Sequence, residues 1–314
     1  MAWCIFTSSF AASWALDSCR HVNLRMTSSW MLVAGALFAT MGVFAKFLAP
    51  YFTGAELSLY RSLIAFFAIG AFVLVKRQSI STLFWQGHFW RGAMGTISLI
   101  GYFYAMTKLP LATAITLNYT SPIFLTILST ILLKEKFRPR LVFAILLGFV
   151  GVALLLRPTF EGEQAYAGFI GLASGFFAAC AYVNVKKLGE AGEPEWRVVF
   201  YFAVIGSIGS AVFQSLTGHD FHPVTASNAA YLLALGLAAT VAQLAMTRAY
   251  HSGNTLVVGA FAYSTIIFAS LAGIFFFDEI LPPVAWLGMI IIVVSGILAK
   301  RADKKLIASA ADVV

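Results

Sequence analysis

The chain has 314 residues, of which 60% are hydrophobic and only 11% are charged. Soluble domains carry about 25% charged residues, so this composition excludes a soluble globular protein and indicates several membrane spans. The formal charge of +8 would suggest a nucleic-acid partner for a soluble protein, but here the basic residues lie between apolar runs and act as topology signals. The expected partners are therefore the lipid bilayer and a small-molecule substrate, with no nucleic acid.

Residues 1–26 are predicted to be an N-terminal extension. They mix polar and apolar residues and lack the order of basic, apolar and small residues that defines a secretory signal. Met26 leads directly into the first apolar run, so we expect it to be the native start. The three cysteines, Cys4, Cys19 and Cys180, do not have the spacing of a disulfide framework or a metal site.

Ten apolar runs of helix length follow in chain order. Most are apolar throughout and far longer than the roughly 10 alternating residues of a barrel strand, so they predict transmembrane helices. The predicted spans are Trp30 to Leu48, Ala55 to Val75, Phe89 to Thr107, Leu111 to Leu133, Leu141 to Leu156, Tyr166 to Val185, Val198 to Leu216, Ala226 to Thr247, Thr255 to Phe277 and Leu281 to Ala299.

The sequence contains two copies of one module. A shift of 144 positions places Tyr119 on Tyr263 and Glu135 on Glu279, so an internal repeat is indicated. The first repeat is predicted over residues 27–160 and the second over residues 161–305, followed by a cytoplasmic tail over residues 306–314. Glu135 and Glu279, each just before the last span of its copy, are predicted to have structural roles.

The loops predict the orientation. One set of alternate loops holds nearly all lysines and arginines, Arg91 included, and the other holds only Lys108 and Arg157. By the positive-inside rule both termini are expected in the cytoplasm, and the protein is expected in the inner (plasma) membrane. Because each copy has five spans, the second copy enters the membrane in the opposite sense. The fold class is thus an all-α integral membrane protein with two inverted five-helix repeats, an architecture typical of transporters that work by alternating access.

Several segments resemble a known family. The ten-span layout, the early ELSLYR, the segment LPLATAITLNYTSPIF followed by KEKFRPR, and the late FFFDEILPP are similar to the drug/metabolite transporter superfamily, in particular its EamA-type members. The resemblance covers nearly all of residues 29–305. It implies two bundles of four helices around a central substrate cavity, with the fifth and tenth spans peripheral. The family's substrates include amino acids, nucleotide precursors, vitamins and drugs, and the resemblance does not indicate which of them this chain transports.

The sequence differs from related transporters in the acidic residues that couple transport to protons. Small multidrug resistance transporters, which are related to this superfamily, use a carboxylate in the first helix to exchange protons for cations. Here the first and sixth spans contain no acid, and Glu56 is the single acid within the ten predicted spans. That proton mechanism does not carry over.

Polar residues at matching depths in the two copies are candidates for substrate binding. Tyr119 and Ser121 in the fourth span correspond to Tyr263 and its neighbours in the ninth. Pro122 is predicted to be structural, because it removes a backbone hydrogen bond and frees a carbonyl group. These side chains either line a cavity or bond between helices. Further candidates lie in the third and eighth spans: Tyr104 and Gln243.

Two cations lie within the predicted spans away from the cytoplasmic side, Lys46 and Arg61. In one interpretation they are structural: Lys46 extends to the outer headgroups, and Glu56 pairs with one of the two cations. In the other they are substrate-binding residues, and their surplus positive charge at the cavity mouth favours a substrate with a carboxylate or phosphate.

Glycine pairs, two outer-loop histidines and the absence of catalytic motifs in the sequence bear on other functions. Pairs of glycines three residues apart, such as Gly148 and Gly151, favour helix packing within the chain or a homodimer face. His219 and His222 in an outer loop lack a clear third ligand, so no metal or other cofactor is expected. No ordered set of catalytic residues and no phosphate-binding loop occurs, so the chain is predicted to be a secondary transporter, an exporter or exchanger, and not an enzyme. A lipid or lipid-linked sugar flippase on the same fold remains the alternative.

Overall fold

The computed structural model describes residues 27–109, 111–133, 138–156, 165–218, 220–278 and 280–311. Within these residues every regular element is an α-helix. In chain order the helices are α1 (Trp30–Leu48), α2 (Gly54–Val75), α3 (Trp85–Lys108), α4 (Leu111–Asn118), α5 (Ser121–Leu132), α6 (Pro139–Leu156), α7 (Ala165–Glu190), α8 (Glu195–Leu216), α9 (Ala226–Ser252), α10 (Thr255–Ala262), α11 (Ser264–Phe277) and α12 (Pro283–Ala311).

These helices form the ten predicted spans. Eight helical stretches are long and apolar enough to cross a membrane, and α6 is a shorter apolar helix. The remaining span, α3, is 24 residues long but less apolar, because its first two turns contain His88 and Arg91. The all-α class with ten membrane helices in two repeats is confirmed. The third and eighth spans are longer than predicted, beginning at Trp85 and ending at Ser252.

The fourth and ninth spans are each broken near the middle. The first break lies at Tyr119 and Thr120, and the second lies at Tyr263, so the equivalent tyrosines mark equivalent breaks. Pro122 follows the first break in the first turn of α5, where its missing N–H group costs nothing. At this break the hydroxyl group of Thr120 donates a hydrogen bond to the carbonyl oxygen of Leu117 at 2.6 Å.

A glycine from the other repeat approaches each break. A Cβ atom on Gly175 of α7 would lie 2.9 Å from the carbonyl oxygen of Leu117, and a Cβ on Gly35 of α1 would lie 2.9 Å from Oγ of Ser264. Real Cβ atoms do not make contacts that short. Glycine therefore allows the irregular backbone to pack against a neighbouring helix, which membrane proteins require of non-helical segments.

The register of α2 against α8 shows that the repeats are inverted. Oγ of Ser58 lies 2.9 Å from Oγ of Ser210, and Thr53 donates a hydrogen bond to Gln214 at 3.0 Å. As the residue number falls along α2, the number of its partner rises along α8, so the two helices run antiparallel. Since α2 and α8 are the second spans of the two copies, the copies have opposite orientations.

The remaining contacts follow the same two-fold relationship. Helix α3 packs against α7 and α8, and its equivalent α9 packs against α1 and α2. Likewise α5 contacts α7, and α11 contacts α1. The equivalent helices α2 and α8 contact each other, as do α6 and α12, so the pseudo-two-fold axis passes between the members of these pairs.

Small residues allow the closest of these contacts. A Cβ on Gly151 of α6 would lie 2.8 Å from the carbonyl oxygen of Gly288 on α12, and one on Gly148 would lie 2.6 Å from the ring of Tyr263. The glycines of the fifth span are therefore used for packing within the chain. A homodimer stays a prediction, and it would have to use other residues.

Candidate functional site

A small buried cavity lies where the two repeats meet. Its walls come from α2 of the first repeat and from α8 and α9 of the second. Its volume is about 10 Å³, which is about the space that one ordered water needs. The lining residues are Arg61, Ser62, Ala65, Val199, Phe202, Ala203, Ala239, Thr240 and Gln243.

Arg61 and Gln243 face each other in this cavity. The Nη2 atom of Arg61 donates a hydrogen bond to Oε1 of Gln243 at 3.4 Å, and both side chains are buried. The Nε2 atom of Gln243 has no hydrogen-bond partner among the described residues. Two of the residues predicted from sequence thus meet across the repeat boundary, and the amide group of Gln243 keeps an unused donor.

Glu56 does not pair with Arg61, one of the two partners that the sequence left open for it. The Glu56 carboxylate accepts hydrogen bonds from the backbone N–H group of Thr53 at 2.7 Å and of His222 at 2.6 Å. Arg61 points instead towards the ring of Phe202, with the guanidinium carbon 5.9 Å from the ring centroid. The capping box that Thr53 forms with Glu56 at the start of α2 explains this, because it holds the carboxylate at the helix end.

Arg91 is a site residue that sequence reasoning missed. It was counted among the cytoplasmic loop charges, yet only 2% of it is exposed, and its guanidinium carbon lies 4.1 Å from the centroid of Phe202. Arg61 and Arg91 therefore contact the same ring. The available signal was the position of Arg91 inside the predicted third span, because an arginine within a span has either to reach the surface or to find a place in the bundle.

A cluster of tyrosines lies beside the arginines. The rings of Tyr182 and Tyr250 stack with centroids 4.9 Å apart, and Tyr182 lies close to both guanidinium groups. Tyr250 lies close to Tyr119 and Tyr263 at the two helix breaks. The hydroxyl groups of Tyr250 and Tyr263 are buried without a hydrogen-bond partner in the described part of the chain. The helix breaks thus place phenol groups in the interior, between the repeats.

Glu56 joins the two repeats at one end of the bundle. Beyond its cap contacts, the Glu56 carboxylate lies 2.9 Å from Nδ1 of His222, in the segment before α9. Glu56 is fully buried, while about half of the His222 side chain is exposed. We call this contact the Glu56–His222 latch. It joins α2, the second span of the first repeat, to the segment that precedes α9, the third span of the second repeat.

Glu193 joins the two repeats at the opposite end. Its carboxylate accepts hydrogen bonds from Thr82 at 2.6 Å and from Arg197 at 3.0 Å, and it lies 3.2 Å from Nε2 of His88. Burial raises the pKa of the Glu193 carboxyl group, but the hydrogen bonds from Thr82, Arg197 and His88 outweigh it and hold the pKa below its ordinary value. This cluster is the Glu193–His88 latch.

The two latches are equivalent under the pseudo-two-fold axis. Glu56 lies at the start of α2, and Glu193 lies just before α8, the equivalent helix. His222 precedes α9, and His88 lies in the first turn of its equivalent, α3. The same combination of a buried carboxylate and a histidine is therefore found at both ends, and each combination joins one repeat to the other.

The other predicted site residues lie away from the cavity. The Nζ atom of Lys46 lies 4.0 Å from the ring centroid of Phe277, near the end of α1. Tyr104 packs edge to face on Tyr166 with ring centroids 6.5 Å apart. Ser121 is buried in the first turn of α5. The two acids predicted to be structural, Glu135 and Glu279, lie outside the described residues, and so does His219.

Together, the fold and the site define a class of protein. Two inverted five-helix repeats enclose a buried cavity that contains the Arg61 guanidinium group and lies at the boundary between the repeats, as is typical of membrane transporters for small molecules. The family model described as the EamA-like transporter family matches residues 25–157 and 166–300, one match for each repeat. The chain belongs to the EamA-like transporter family, as its sequence motifs predicted.

Curated relatives of this chain are also transporters. An uncharacterized transporter of Helicobacter pylori is 27% identical over 277 residues, which cover 86% of this chain and 93% of that protein. The pseudopaline exporter CntI of Pseudomonas aeruginosa is 31% identical over 278 residues, covering 87% and 95%. A riboflavin transporter of Vibrio cholerae is 29% identical over 273 residues, covering 85% and 90%.

A solved crystal structure has the same fold. It matches with a TM-score of 0.75 over 87% of this chain and 96% of the other, at 20% sequence identity. At this identity the match supports the helix arrangement alone. The protein is thus a multi-pass membrane transporter of small molecules, and its substrate has to be argued from its own residues.

Proposed function

We propose that the protein is a secondary transporter of a small organic metabolite that works by alternating access, as an exporter or an exchanger. The observation that carries this proposal is the contact between Arg61 and Gln243. These polar side chains come from opposite repeats and meet in a buried cavity at the boundary between the repeats. A site at that boundary is accessible from either side when the two repeats exchange conformations.

The two latches support the alternating mechanism. With both the Glu56–His222 latch and the Glu193–His88 latch formed, the described conformation is closed at both ends, and the cavity is too small for a metabolite. Binding therefore requires one end to open. Equivalent contacts at both ends let either one open with the same kind of change, while the other keeps the substrate from leaking.

The basic residues support an orientation. Lys76 follows α2, Lys187 lies near the end of α7, and both are at the bundle end that contains Glu193. By the positive-inside rule, this end faces the cytoplasm of the cell that makes the protein, with both termini on the same side. The Glu193–His88 latch is then the inner gate, and the Glu56–His222 latch is the outer gate.

The name of one relative supports export, and the names of the others give no direction. One relative is named as an exporter of pseudopaline, and another as a riboflavin transporter. These names differ in substrate, so they support a small organic molecule without selecting one. The latch residues and the cavity residues belong to this chain, and the proposed mechanism rests on them.

The experiment is a binding screen followed by an exchange assay. Purified protein is heated with single metabolites from acid, amine, neutral and cofactor classes, because a ligand that binds the folded state raises its apparent stability. Each stabilising compound is then tested for counterflow in proteoliposomes. We expect at least one compound to stabilise the protein and to be exchanged without ATP. Compounds that bind but never exchange, or rapid movement of labelled phospholipid between leaflets, would contradict the proposal and favour the flippase alternative.

A further inference from the structure

Two arginines are buried inside the bundle. Arg61 is 7% exposed and Arg91 is 2% exposed. Among the residues that the structure describes, neither has a carboxylate within ion-pair distance, since the acids that form such pairs are Glu56, Glu190 and Glu193 with other partners. The interior therefore contains two positive charges that these protein contacts do not neutralise.

The two guanidinium groups meet at one place. Arg61 comes from α2 and Arg91 from α3, and both lie near the ring of Phe202 on α8, at 5.9 Å and 4.1 Å from its centroid. The guanidinium groups are thus no farther apart than the sum of these distances. Phe202 lies seven residues after the start of α8, about 10 Å along the helix at 1.5 Å per residue. The charges are therefore well inside the membrane.

Arg91 does not extend to the nearer membrane surface. Long side chains on a helix lean towards its N-terminus, and the N-terminus of α3 at Trp85 is also the nearer surface. Arg91 leans the other way, so that its Nη1 atom occupies the space where a side chain on Gly95 would stand. Glycine at position 95 makes this conformation possible. The side chain of Arg91 thus points into the bundle, although the nearer membrane surface is within its reach.

The groups around the arginines are mostly hydrogen-bond donors. Within the described residues the Nε atom of Arg91 and the Nε2 atom of Gln243 have no acceptor. The Oε1 atom of Gln243 already accepts from Arg61. The cation–π contacts with the ring of Phe202 offset only part of the free energy that burying a cation costs. A ligand that completes this site has to supply several acceptor oxygens and negative charge.

We propose that Arg61 and Arg91 bind a dianionic organic substrate, either a dicarboxylate or a phosphomonoester. This inference rests on the proposed transport function and names its substrate class. Two negative charges match the two guanidinium groups, whose planar N–H donors pair with carboxylate and phosphate oxygens in a bidentate manner. The donor of Gln243 and the phenol groups of the tyrosine cluster bind the rest of the molecule. Since the cavity is small in the closed conformation, α2 and α3 move apart from α8 when the substrate enters.

The first test uses the wild-type full chain, purified in detergent. The probes are linear dicarboxylates of three to six carbons and the phosphomonoesters of small alcohols, each compared with its neutral diamide or parent alcohol. We expect at least one dianion to raise the melting temperature in a saturable way, and its neutral counterpart to have no effect. The dicarboxylate and phosphomonoester arms distinguish the two sources of charge. If no dianion stabilises the protein, or the neutral counterpart binds as tightly, the inference is wrong.

The second test uses variants. Arg61→Gln and Arg91→Gln should each weaken binding of the dianion about tenfold or more, since each removes a charge-assisted contact. Arg248→Gln is the matched control, because Arg248 also lies over an aromatic ring, that of Trp30, at 5.0 Å, but its side chain is exposed. The control should bind like the wild type. Arg91→Lys keeps the charge but loses the planar fork, so its affinity should be intermediate, and it serves as the test if the glutamine variants do not fold.

The outcomes separate this inference from the proposed function. If the wild type exchanges a neutral or monoanionic metabolite and both glutamine variants exchange it equally well, the protein is a transporter and the dianion inference is wrong. If dianions bind with the expected dependence on Arg61 and Arg91 but no metabolite exchanges, the inference holds and the transport proposal fails.

Discussion

Arg61 and Gln243 are 182 positions apart in the sequence, yet a hydrogen bond of 3.4 Å joins them in the interior of the bundle. Each comes from a different repeat, so a relative motion of the repeats would change the distance between them. The bond is long, and the Nε2 atom of Gln243 has no partner among the described residues. Gln243 therefore contributes little to stability, and its remaining donor is available to a ligand in the cavity.

Replacement of Gln243 by leucine should reduce transport more than stability. The change removes a donor that faces the cavity and a weak hydrogen bond, so we expect about a tenfold loss of substrate affinity, which corresponds to about 1.4 kcal/mol, and a melting temperature close to that of the wild type. Gln214→Leu is the matched control. Gln214 is also buried, but its amide accepts from Thr53 at 3.0 Å and donates to the carbonyl oxygen of Asp220, so this variant should lose stability first. A loss of stability as large in Gln243→Leu would assign Gln243 to packing.

Alanine at position 95 should displace Arg91. The new Cβ atom would lie 2.9 Å from the ring of Phe202 and would collide with the guanidinium group of Arg91. Overpacking of this kind costs about 1–3 kcal/mol, and we expect transport to fall together with the melting temperature. Gly70→Ala is the control, because a Cβ there meets nothing within 4 Å and alanine favours helix. Normal transport by the Gly95→Ala variant would mean that Arg91 need not point inwards.

Each latch should control access from its own end. Glu193→Gln and Glu56→Gln each replace a carboxylate that accepts several hydrogen bonds with an amide that offers one acceptor. On a background without Cys4, Cys19 and Cys180, a cysteine at the cavity position Ala203 reports access to membrane-impermeant reagents. We expect Glu193→Gln to increase labelling from the Glu193 end and Glu56→Gln to increase it from the opposite end.

The control for the latch experiment is Glu190→Gln. Glu190 is an exposed acid whose contact with Lys186 is 4.0 Å long, and such surface pairs contribute little. Its labelling should match that of the parent protein. If both latch variants increase labelling from the same end, the latches do not act as separate gates.

Acid should weaken the Glu193–His88 latch. The pKa of Glu193 is lowered in the folded protein because the hydrogen bonds from Thr82, Arg197 and His88 outweigh the effect of burial. A carboxyl group with a lowered folded pKa stabilises the protein above its unfolded pKa, near 4.3, and this contribution is lost as the pH falls through the folded pKa. We therefore expect Glu193→Gln to flatten the loss of melting temperature between about pH 5 and pH 3. Glu190→Gln should keep the wild-type pH curve, and an unchanged curve in Glu193→Gln would show that the latch does not titrate in this range.

Reporter fusions should confirm the orientation. Fusions after Lys136, Lys187 and Lys305 should report the cytoplasm, and fusions after Glu163 and Asp220 should report the opposite side, because the basic loops remain in the cytoplasm. Swapped results at two of these sites would contradict the inverted orientation of the repeats in the membrane.

The sequence determined the number of spans and the existence of two repeats. Apolar runs long enough to cross a bilayer insert because of their own hydrophobicity, so their positions can be read locally. The shift that aligns Tyr119 with Tyr263 also relates the two helix breaks, although the breaks themselves were found only in the structure. Polarity within a span pointed to Arg61 and Gln243, which line the buried cavity, because a membrane helix keeps such side chains only where they find partners or a cavity. Their role in substrate binding stays a prediction.

Tertiary structure alone decided which polar residues meet. The Glu56–His222 latch joins residues 166 positions apart, and no periodicity in the sequence relates them. Arg91 lies close to the end of its span, so its position in the sequence suggested a loop charge at the membrane surface. Its inward direction depends on the gap at Gly95 and on the ring of Phe202, which α8 of the other repeat supplies. The direction of a long, flexible side chain is set by the space and partners that neighbouring helices offer, and those exist only after the two repeats have packed together.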